Sequence, residues 1–455
     1  MSDRLVDFLL LRDYTTRWAL LGTVSLGIAA GVVGAFMLLR KRSLVGDVVS
    51  HAALPGVAIA FLVMEVRAAG GGRWLPGLLV GAAAAGFAGV LSATFIRRFT
   101  RLKEDATLAV VLGVFYGVGV SLFSIAERIT SGMGAIEDFT LGAVHSIVAG
   151  DVALIAGAAL LVLLTCGALF KEFTLLCFDP EFAATRGWPV GMLDVGLMGL
   201  VVAVAVIGLQ SVGLLLMVAM LITPAAAARF WTDDIRRMAL IAALLGGLGA
   251  FCGVFASHLV PKLSAGATIV LAGSSLFAVS LLFGTRRGVA WRMLEHRRLA
   301  RRIAREHLLR ACYEALEAER GGAFANKPAA FADHPLPIER IVELREWTRR
   351  QLERKLFAAE REELSRRDAQ RRWMLTKAGA VAAAQAVRNH RLWELYLIHY
   401  ADIAPSHVDR DADRIEHVLG PEIVAELERQ LVEREPRLAA IPASPHEIEA
   451  AAADR

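Results

Sequence analysis

An acid and a histidine four residues apart, Asp47 and His51, lie in the stretch RKRSLVGDVVSHAALPGVAIA at residues 40–60. Positions i and i+4 share a helix face, so the carboxylate and the imidazole can reach the same small volume. Ionisable groups at the edge of an apolar segment are expensive to keep and are seldom idle. An Asp/His pair with open positions suits a borderline divalent cation such as Zn, Mn or Fe. The same spacing also fits a helix N-cap acid followed by a buried, hydrogen-bonded histidine. On spacing alone the two readings stand side by side.

A second set of such side chains lies far down the chain. His390 and Glu394 stand at i and i+4, and Asp409, Asp413, Glu416 and His417 follow at i, i+4, i+7 and i+8. On a helix the latter four share one face, which makes a credible divalent-metal site. A salt-bridged helix surface is the competing reading, although it would interleave more Lys and Arg than occur there.

The elements that carry these groups are segregated. The chain has 455 residues, 56% hydrophobic, with 50 Lys+Arg and 45 Asp+Glu. Residues 1–285 hold 19 cations and 17 acids, against 31 and 28 in residues 286–455, and eight of the eleven histidines lie beyond residue 290. A membrane half followed by a charged, water-facing half is the arrangement this predicts. The four cysteines show no disulfide or zinc-ribbon spacing. The first apolar run lacks a short h-region with a cleavage site, so it reads as a retained span.

Nine apolar runs approach the roughly 20 residues a bilayer crossing needs: 17–39, 48–66, 74–97, 107–125, 150–170, 191–209, 211–228, 238–257 and 265–284. Cation-bearing loops alternate with poorer ones. The basic set is Arg40–Arg42, Arg97–Lys103, Lys171–Arg186, Arg229–Arg237 and Arg286–Arg287. The positive-inside rule then sets the N-terminus outside and the C-terminus in the cytoplasm. The expected membrane domain, residues 1–288, is all-α and polytopic, with about nine transmembrane helices. Its Gly/Ala-rich spans suit close helix packing. Pro224 interrupts the apolar run GLLLMVAMLITPAAAAR and should bend or break a helix there. Residues 171–190 form a long loop with a short helical centre between Pro180 and Gly187. Glu137, Asp138 and His145, in the 126–149 loop, read as structural or solvated groups.

The order RKRSLVGDVVSHAALPGVAIAF, FDPEFAATRGWPV, GLLLMVAMLITPAAAAR resembles the permease subunit of metal-importing ABC transporters for manganese, zinc or iron, over residues 15–285. The resemblance implies that Asp47 and His51 face a translocation path for Mn2+, Fe2+ or Zn2+. It implies that Asp179, Pro180, Glu181, Arg186 and Gly187 belong to a coupling helix seated on a cytoplasmic ATPase. It further implies an extracytoplasmic metal-binding protein and a homodimer in the membrane. No GxxxxGK[ST] phosphate loop occurs in the sequence, so the ATPase would be a separate polypeptide and this chain a transporter subunit rather than an enzyme.

Beyond residue 288 the charge is itself split: 22 cations and 14 acids over 286–373, then 9 and 14 over 374–455. In the basic lobe the spacing predicts a helix over 307–318, two helices within 338–367 broken near Arg345–Trp347, and a hairpin with an arginine tip over 368–379. That order is a winged helix-turn-helix, set at residues 289–379. Its exposed cations, Arg349, Arg350, Arg354, Arg371 and Arg372 among them, could meet the phosphates of nucleic acid or of anionic lipid. A solvated helical surface explains them equally.

The pattern LTKAGAVAAAQAVRNHRLWELYL followed by HVDRDADRIEHVLGPE resembles iron- and manganese-dependent repressors of the diphtheria-toxin-repressor type, over about 305–435. By that resemblance, residues 380–455 form a helical metal-binding and dimerisation domain. His307, Asp413, Glu416 and His417 would make the main site, and His390, Glu394 and Asp409 the ancillary one. Asp413 stands where that family has Cys or Glu. The expected whole is an ATP-driven metal importer's permease with a cytoplasmic metal gauge. The alternatives are a membrane-tethered, metal-responsive DNA-binding regulator, with DNA as its partner, and a permease whose tail serves assembly alone.

Overall fold

The computed structural model describes residues 13–42, 44–67, 74–129, 148–260, 263–320, 331–332, 334–400 and 429. Asp409, Asp413, Glu416 and His417, together with Glu137, Asp138 and His145, lie outside the described residues. The chain divides into two compact units, residues 1–292 and 293–455.

In the first unit the described elements are helices α1 (Tyr14–Leu39), α2 (Val45–Arg67), α3 (Leu75–Phe99), α4 (Glu104–Ile129), α5 (Ala149–Ala168), α6 (Phe170–Phe178), α7 (Pro180–Thr185), α8 (Val190–Val212), α9 (Leu214–Ala228), α10 (Ile235–Leu259) and α11 (Ala265–Phe283). Eight of these are long and apolar enough to cross a membrane: α1 to α5, α8, α10 and α11. Most of them are apolar all round rather than on one stripe, which is how a helix reads when lipid replaces water outside it. Large side chains such as Leu161, Leu164, Val80 and Leu244 stand exposed, as a lipid-facing surface requires.

The run expected to span at 211–228 differs. It folds as α9, 15 residues long, about 22 Å at 1.5 Å per residue. Gly213, at φ +86°, separates it from α8, a backbone region that residues with a side chain seldom occupy. The two apolar runs are thus joined by a turn that glycine alone makes easily, and Pro224 sits inside α9.

The unit is held together by small residues. An added Cβ at Gly27 of α1 would lie 2.5 Å from the Gly246 carbonyl oxygen of α10, and one at Gly31 would lie 2.3 Å from that of Ala242. Helices can approach this closely in lipid only where no side chain intervenes. The cysteines are free.

The second unit contains the C-terminal part of α12 (Val289–Arg320), then α13 (Ile338–Arg345), α14 (Arg349–Arg361), β1 (Ser365–Arg367), β2 (Trp373–Leu375) and α15 (Lys377–Tyr400). The break expected near Arg345–Trp347 is present, with Glu346 in the left-handed region at φ +50°. Thr348 caps α14 reciprocally with Gln351, which satisfies two of the orphan N–H groups at its start. β1 and β2 pair antiparallel with Arg366 opposite Met374, and Arg371 turns the tip at φ +60°. Helix α15 begins three residues before the expected Ala380. The core joins Leu308, Cys312 and Leu316 of α12 to Ile341, Leu352, Leu356, Trp373 and Val387. Burial pushes the Cys312 thiol up to about 12, so it is an inert packing group rather than a ligand or nucleophile.

Candidate functional site

The Asp47/His51 motif shows how its sequence is spent. Gly46 leaves room for Leu221, with 3.0 Å from a notional Cβ to that side chain. Ser50 turns its hydroxyl back to the Gly46 carbonyl at 2.9 Å. Ala52 meets Gly89 of α3, Gly56 meets the Gly81 backbone, and Pro55 fills the space beside Gly119 of α4. Small residues therefore bring α3 and α4 against α2, and Asp47 and His51 share the remaining polar face.

On that face Asp47 Oδ1 lies 3.3 Å from His51 Nε2, and the side chains are 33% and 19% exposed. Asp47 stands in the first turn of α2, where the helix dipole favours a negative charge. The ring of Tyr116 stands perpendicular to the imidazole, centroids 5.1 Å apart. The other ring nitrogen, His51 Nδ1, has no hydrogen-bond partner among the described residues. The structure brings together the two groups the sequence paired, half-open to solvent, each with coordinating capacity to spare. Tyr116 was not foreseen, because nothing in an apolar run on another helix marks which aromatic meets a distant histidine.

At the end of the unit where α2 begins, four elements meet in an ion network that was not foreseen either. Arg42 holds Asp194 of α8 with Nη1 at 2.9 and 2.7 Å from the two carboxylate oxygens. Its Nε reaches Glu104 of α4 at 2.9 Å. Arg40 adds a bond to Asp194 at 3.1 Å and donates to the Leu176 carbonyl of α6 at 3.0 Å. The signal was present: Asp194 is a lone acid in an otherwise apolar run, and such acids normally have a partner. The basic loops set on one side by charge alternation thus meet in space, Arg287 with Asp233 included, at 2.7 Å.

Directly after α6 comes α7, the expected coupling helix. Asp179 caps it by accepting from the Phe182 N–H at 2.8 Å, Pro180 occupies its first turn, where no N–H is needed, and Gly187 closes it at φ +81°. Phe178, Phe182 and Trp188 are exposed around it, and Arg186 lies 5.4 Å over the Phe182 ring. Ala183 faces inward, fully buried.

In the second unit, His390 and Glu394 are buried on α15, with Nε2 3.3 Å from Oε1. The other ring nitrogen is bonded to Arg310 of α12. His307, half-buried, stands one turn before Arg310. Among the described residues no group of three or more His, Cys, Asp or Glu is gathered as a metal cluster. Arg349, Arg350, Arg354, Arg371 and Arg372 are all exposed. Arg349 lies 3.7 Å from Glu353, and Arg372 is paired with Asp368 at 2.8 Å.

Fold and site together define a multi-pass membrane permease with a folded C-terminal extension. Residues 12–284 match the ABC 3 transport family, and the chain belongs to it. Residues 376–442 match the iron dependent repressor, metal binding and dimerisation domain. The chain is 36% identical over 405 residues to the manganese transport system membrane protein MntC of Bacillus subtilis, covering 89% of each. That length carries the similarity beyond the permease match and into the second unit. With the zinc transport system membrane protein TroC of Treponema pallidum it shares 38% identity, over 64% of this chain and 96% of that one. Among solved structures, PsaBC from Streptococcus pneumoniae in complex with Fab matches 64% of this chain and 99% of its own, at 29% identity and a TM-score of 0.54.

Proposed function

We propose that this chain is the permease subunit of an ATP-driven importer of a divalent transition metal, Mn2+, Fe2+ or Zn2+, with a metal-sensing regulatory tail. The observation that carries the reading is the Asp47/His51 pair, held ready and half-open on α2. Membership of the ABC 3 transport family and the manganese and zinc relatives support it. One chain supplies two ligands, while transition metals favour four or more. In a homodimer a second copy would bring the same pair to a two-fold axis and complete the shell. A shell built from two mobile halves releases its ion when they part, as alternating access requires.

The partners that follow are a cytoplasmic ATPase bearing on α7 and an extracytoplasmic metal-binding protein. The exposed aromatics around α7 suit docking into a groove, and Arg40 ties the helix before it to Asp194 and Arg42. A push on α7 would reach the start of α2 through two hydrogen-bonded arginines. In this reading α9 completes a ninth crossing with its neighbours' help, which keeps the N-terminus out and the C-terminus in the cytoplasm. The domains are then residues 1–288, 289–379 and 380–455.

The helix, helix, hairpin, helix order of the second unit supports a winged helix-turn-helix, followed by a metal-binding and dimerisation domain. Asp413, Glu416 and His417, with Asp409 beside them, would sense cytoplasmic metal and bias the permease. A ligand shifts only states it binds differently. The exposed arginines of α14 and of the hairpin favour a second reading, a tethered DNA-binding regulator, which filter binding of the purified chain with and without Mn would reveal.

The test is accumulation of radiolabelled Mn and Zn in cells that supply the partner proteins. His51→Ala should cut uptake at least about 10-fold at unchanged protein level, since even outer-shell partners of a metal ligand are commonly worth that much. Uptake equal to the parent would remove Asp47 and His51 from the path. Truncation at Gly288 should abolish inhibition of uptake by preloaded metal; inhibition that persists unchanged would make the tail a passive extension.

A further inference from the structure

The turn between α3 and α4 carries four cations, Arg97, Arg98, Arg101 and Lys103, which the ion network uses only in part. Arg97 reaches Glu104 at 3.5 Å, and Glu104 holds Arg42 at 2.9 Å. The side chains of Arg98, Arg101 and Lys103 are exposed, and none of the three pairs with an acid among the described residues. Between residues 97 and 105 the acids are Glu104, taken by two arginines, and Asp105. Two guanidiniums and an ammonium group within six residues suit an anion with several oxygens, such as a phosphate group.

The surface leading to these cations separates a lipid from a soluble anion. Leu91, Phe95 and Phe99 stand at i, i+4 and i+8 of α3, hence on one face, and all three are exposed, as is Leu102 beyond them. The rings of Phe95 and Phe99 lie with centroids 4.5 Å apart. From Leu91 to Phe99 the stripe runs roughly 12 Å along the helix, on a helix long and apolar enough to cross a membrane. One leaflet of hydrocarbon is about 15 Å deep. An apolar stripe that ends in uncommitted cations has the two-part chemistry of an anionic phospholipid, and basic sites at the ends of membrane helices suit such headgroups. A water-soluble partner would meet the cations without reaching the stripe. A second copy packed face to face on the same stripe would bring like charges together across a two-fold axis.

We propose that the Arg97–Lys103 turn and the exposed stripe of α3 bind an anionic phospholipid. Its phosphate sits on Arg98, Arg101 and Lys103, and an acyl chain lies along Phe95 and Phe99. Arg97, Thr94, Glu104, Thr107 and Arg42 line one cleft behind the turn. A headgroup on the turn therefore steadies the chain leading into Glu104, and through Arg42 the start of α2. The proposal needs only that the chain spans a bilayer, and it stands whether or not Asp47 and His51 carry metal.

The experiment titrates lipid into the detergent-purified full chain and follows its unfolding temperature. Dioleoylphosphatidylglycerol should raise that temperature, and dioleoylphosphatidylcholine should leave it unchanged. With Arg98→Gln, Arg101→Gln and Lys103→Gln combined, half of the rise should need at least about 10-fold more phosphatidylglycerol, since each cation near an anionic surface is worth about fivefold. Phe95→Ala with Phe99→Ala should weaken the response while the cations stay in place. Arg236→Gln with Arg237→Gln, exposed at the start of α10, should titrate like the parent. If the triple variant does not purify, Arg101→Gln should need about fivefold more lipid. A parent titration reproduced by the triple variant, by phosphatidylcholine or by inorganic phosphate would overturn the proposal. A triple variant that titrates normally but loses a dimer the parent keeps would give the turn to a second copy instead.

Discussion

Asp194→Ala destabilises the membrane unit by roughly 3–5 kcal/mol, the usual cost of stranding one partner of a buried ion pair. Arg42 is 6% exposed and Asp194 11% at the side chain, so water cannot take over the lost interaction. Arg42 would keep Glu104 alone, and Arg40, already bonded to the Leu176 carbonyl, would lose its acid. Two guanidiniums would then face each other at the mouth of α2, one turn from Asp47. Uptake should fall with stability, since the same contacts position the start of α2 and the helix before α7. Glu104→Gln is the comparison: that carboxylate is 35% exposed, and removing a charge so close to solvent costs about 1 kcal/mol or less. Thermal unfolding of the detergent-solubilised chain, followed by tryptophan fluorescence, measures both. Equal shifts for the two variants would show that the network is ordinary surface electrostatics.

That prediction could not have been written from the sequence, although each of its residues was visible there. Arg40 and Arg42 were legible as cations marking one side of the membrane, because a loop's charge is a local property. Which acid they meet is not local: Asp194 lies more than 150 positions away, and its partner is fixed only when α1, α4 and α8 pack. The long apolar helices, the capped α7 and the break before α14 were readable for the converse reason, since propensity, caps and glycine turns act within a few residues. Asp47 and His51 were legible as a pair because helical spacing alone places them together. His390 and Glu394 were paired by the same rule, but the contact of Arg310 with His390 was not legible, since Arg310 lies on another helix and is one arginine among many in a basic stretch. In the apolar run at 211–228 the helix begins only at Leu214: counting residues registers hydrophobicity, whereas Gly213 at positive φ decides where the helix starts.

Gly27→Ala and Gly246→Ala should each destabilise the chain, and the pair together by less than their sum. A Cβ on Gly27 would lie 2.5 Å from the Gly246 carbonyl oxygen, and one on Gly246 would lie 2.1 Å from that of Gly27. The obstructing atoms are backbone, which no rotamer change can move aside. Helices α1 and α10 must separate, giving up contacts along their length, at the roughly 1–3 kcal/mol typical of overpacking. Once one methyl group has forced them apart, the second enters a gap already opened, so the two costs are not additive. Larger side chains should prevent accumulation of folded protein. Gly113→Ala and Gly117→Ala on α4 are the controls: a Cβ there meets nothing within 4 Å, and alanine is the better helix former by up to about 1 kcal/mol. Their unfolding temperatures should hold or rise. Additive losses from Gly27→Ala and Gly246→Ala would mean that the two glycines act at separate contacts, and a neutral Gly27→Ala would place α1 and α10 farther apart than described. Because Arg40 and Arg42 directly follow the end of α1 at Leu39, a forced separation also displaces the arginines that hold Asp194. Metal uptake in the glycine variants should therefore fall in step with stability, tying a packing defect deep in the bundle to the mouth of the proposed path.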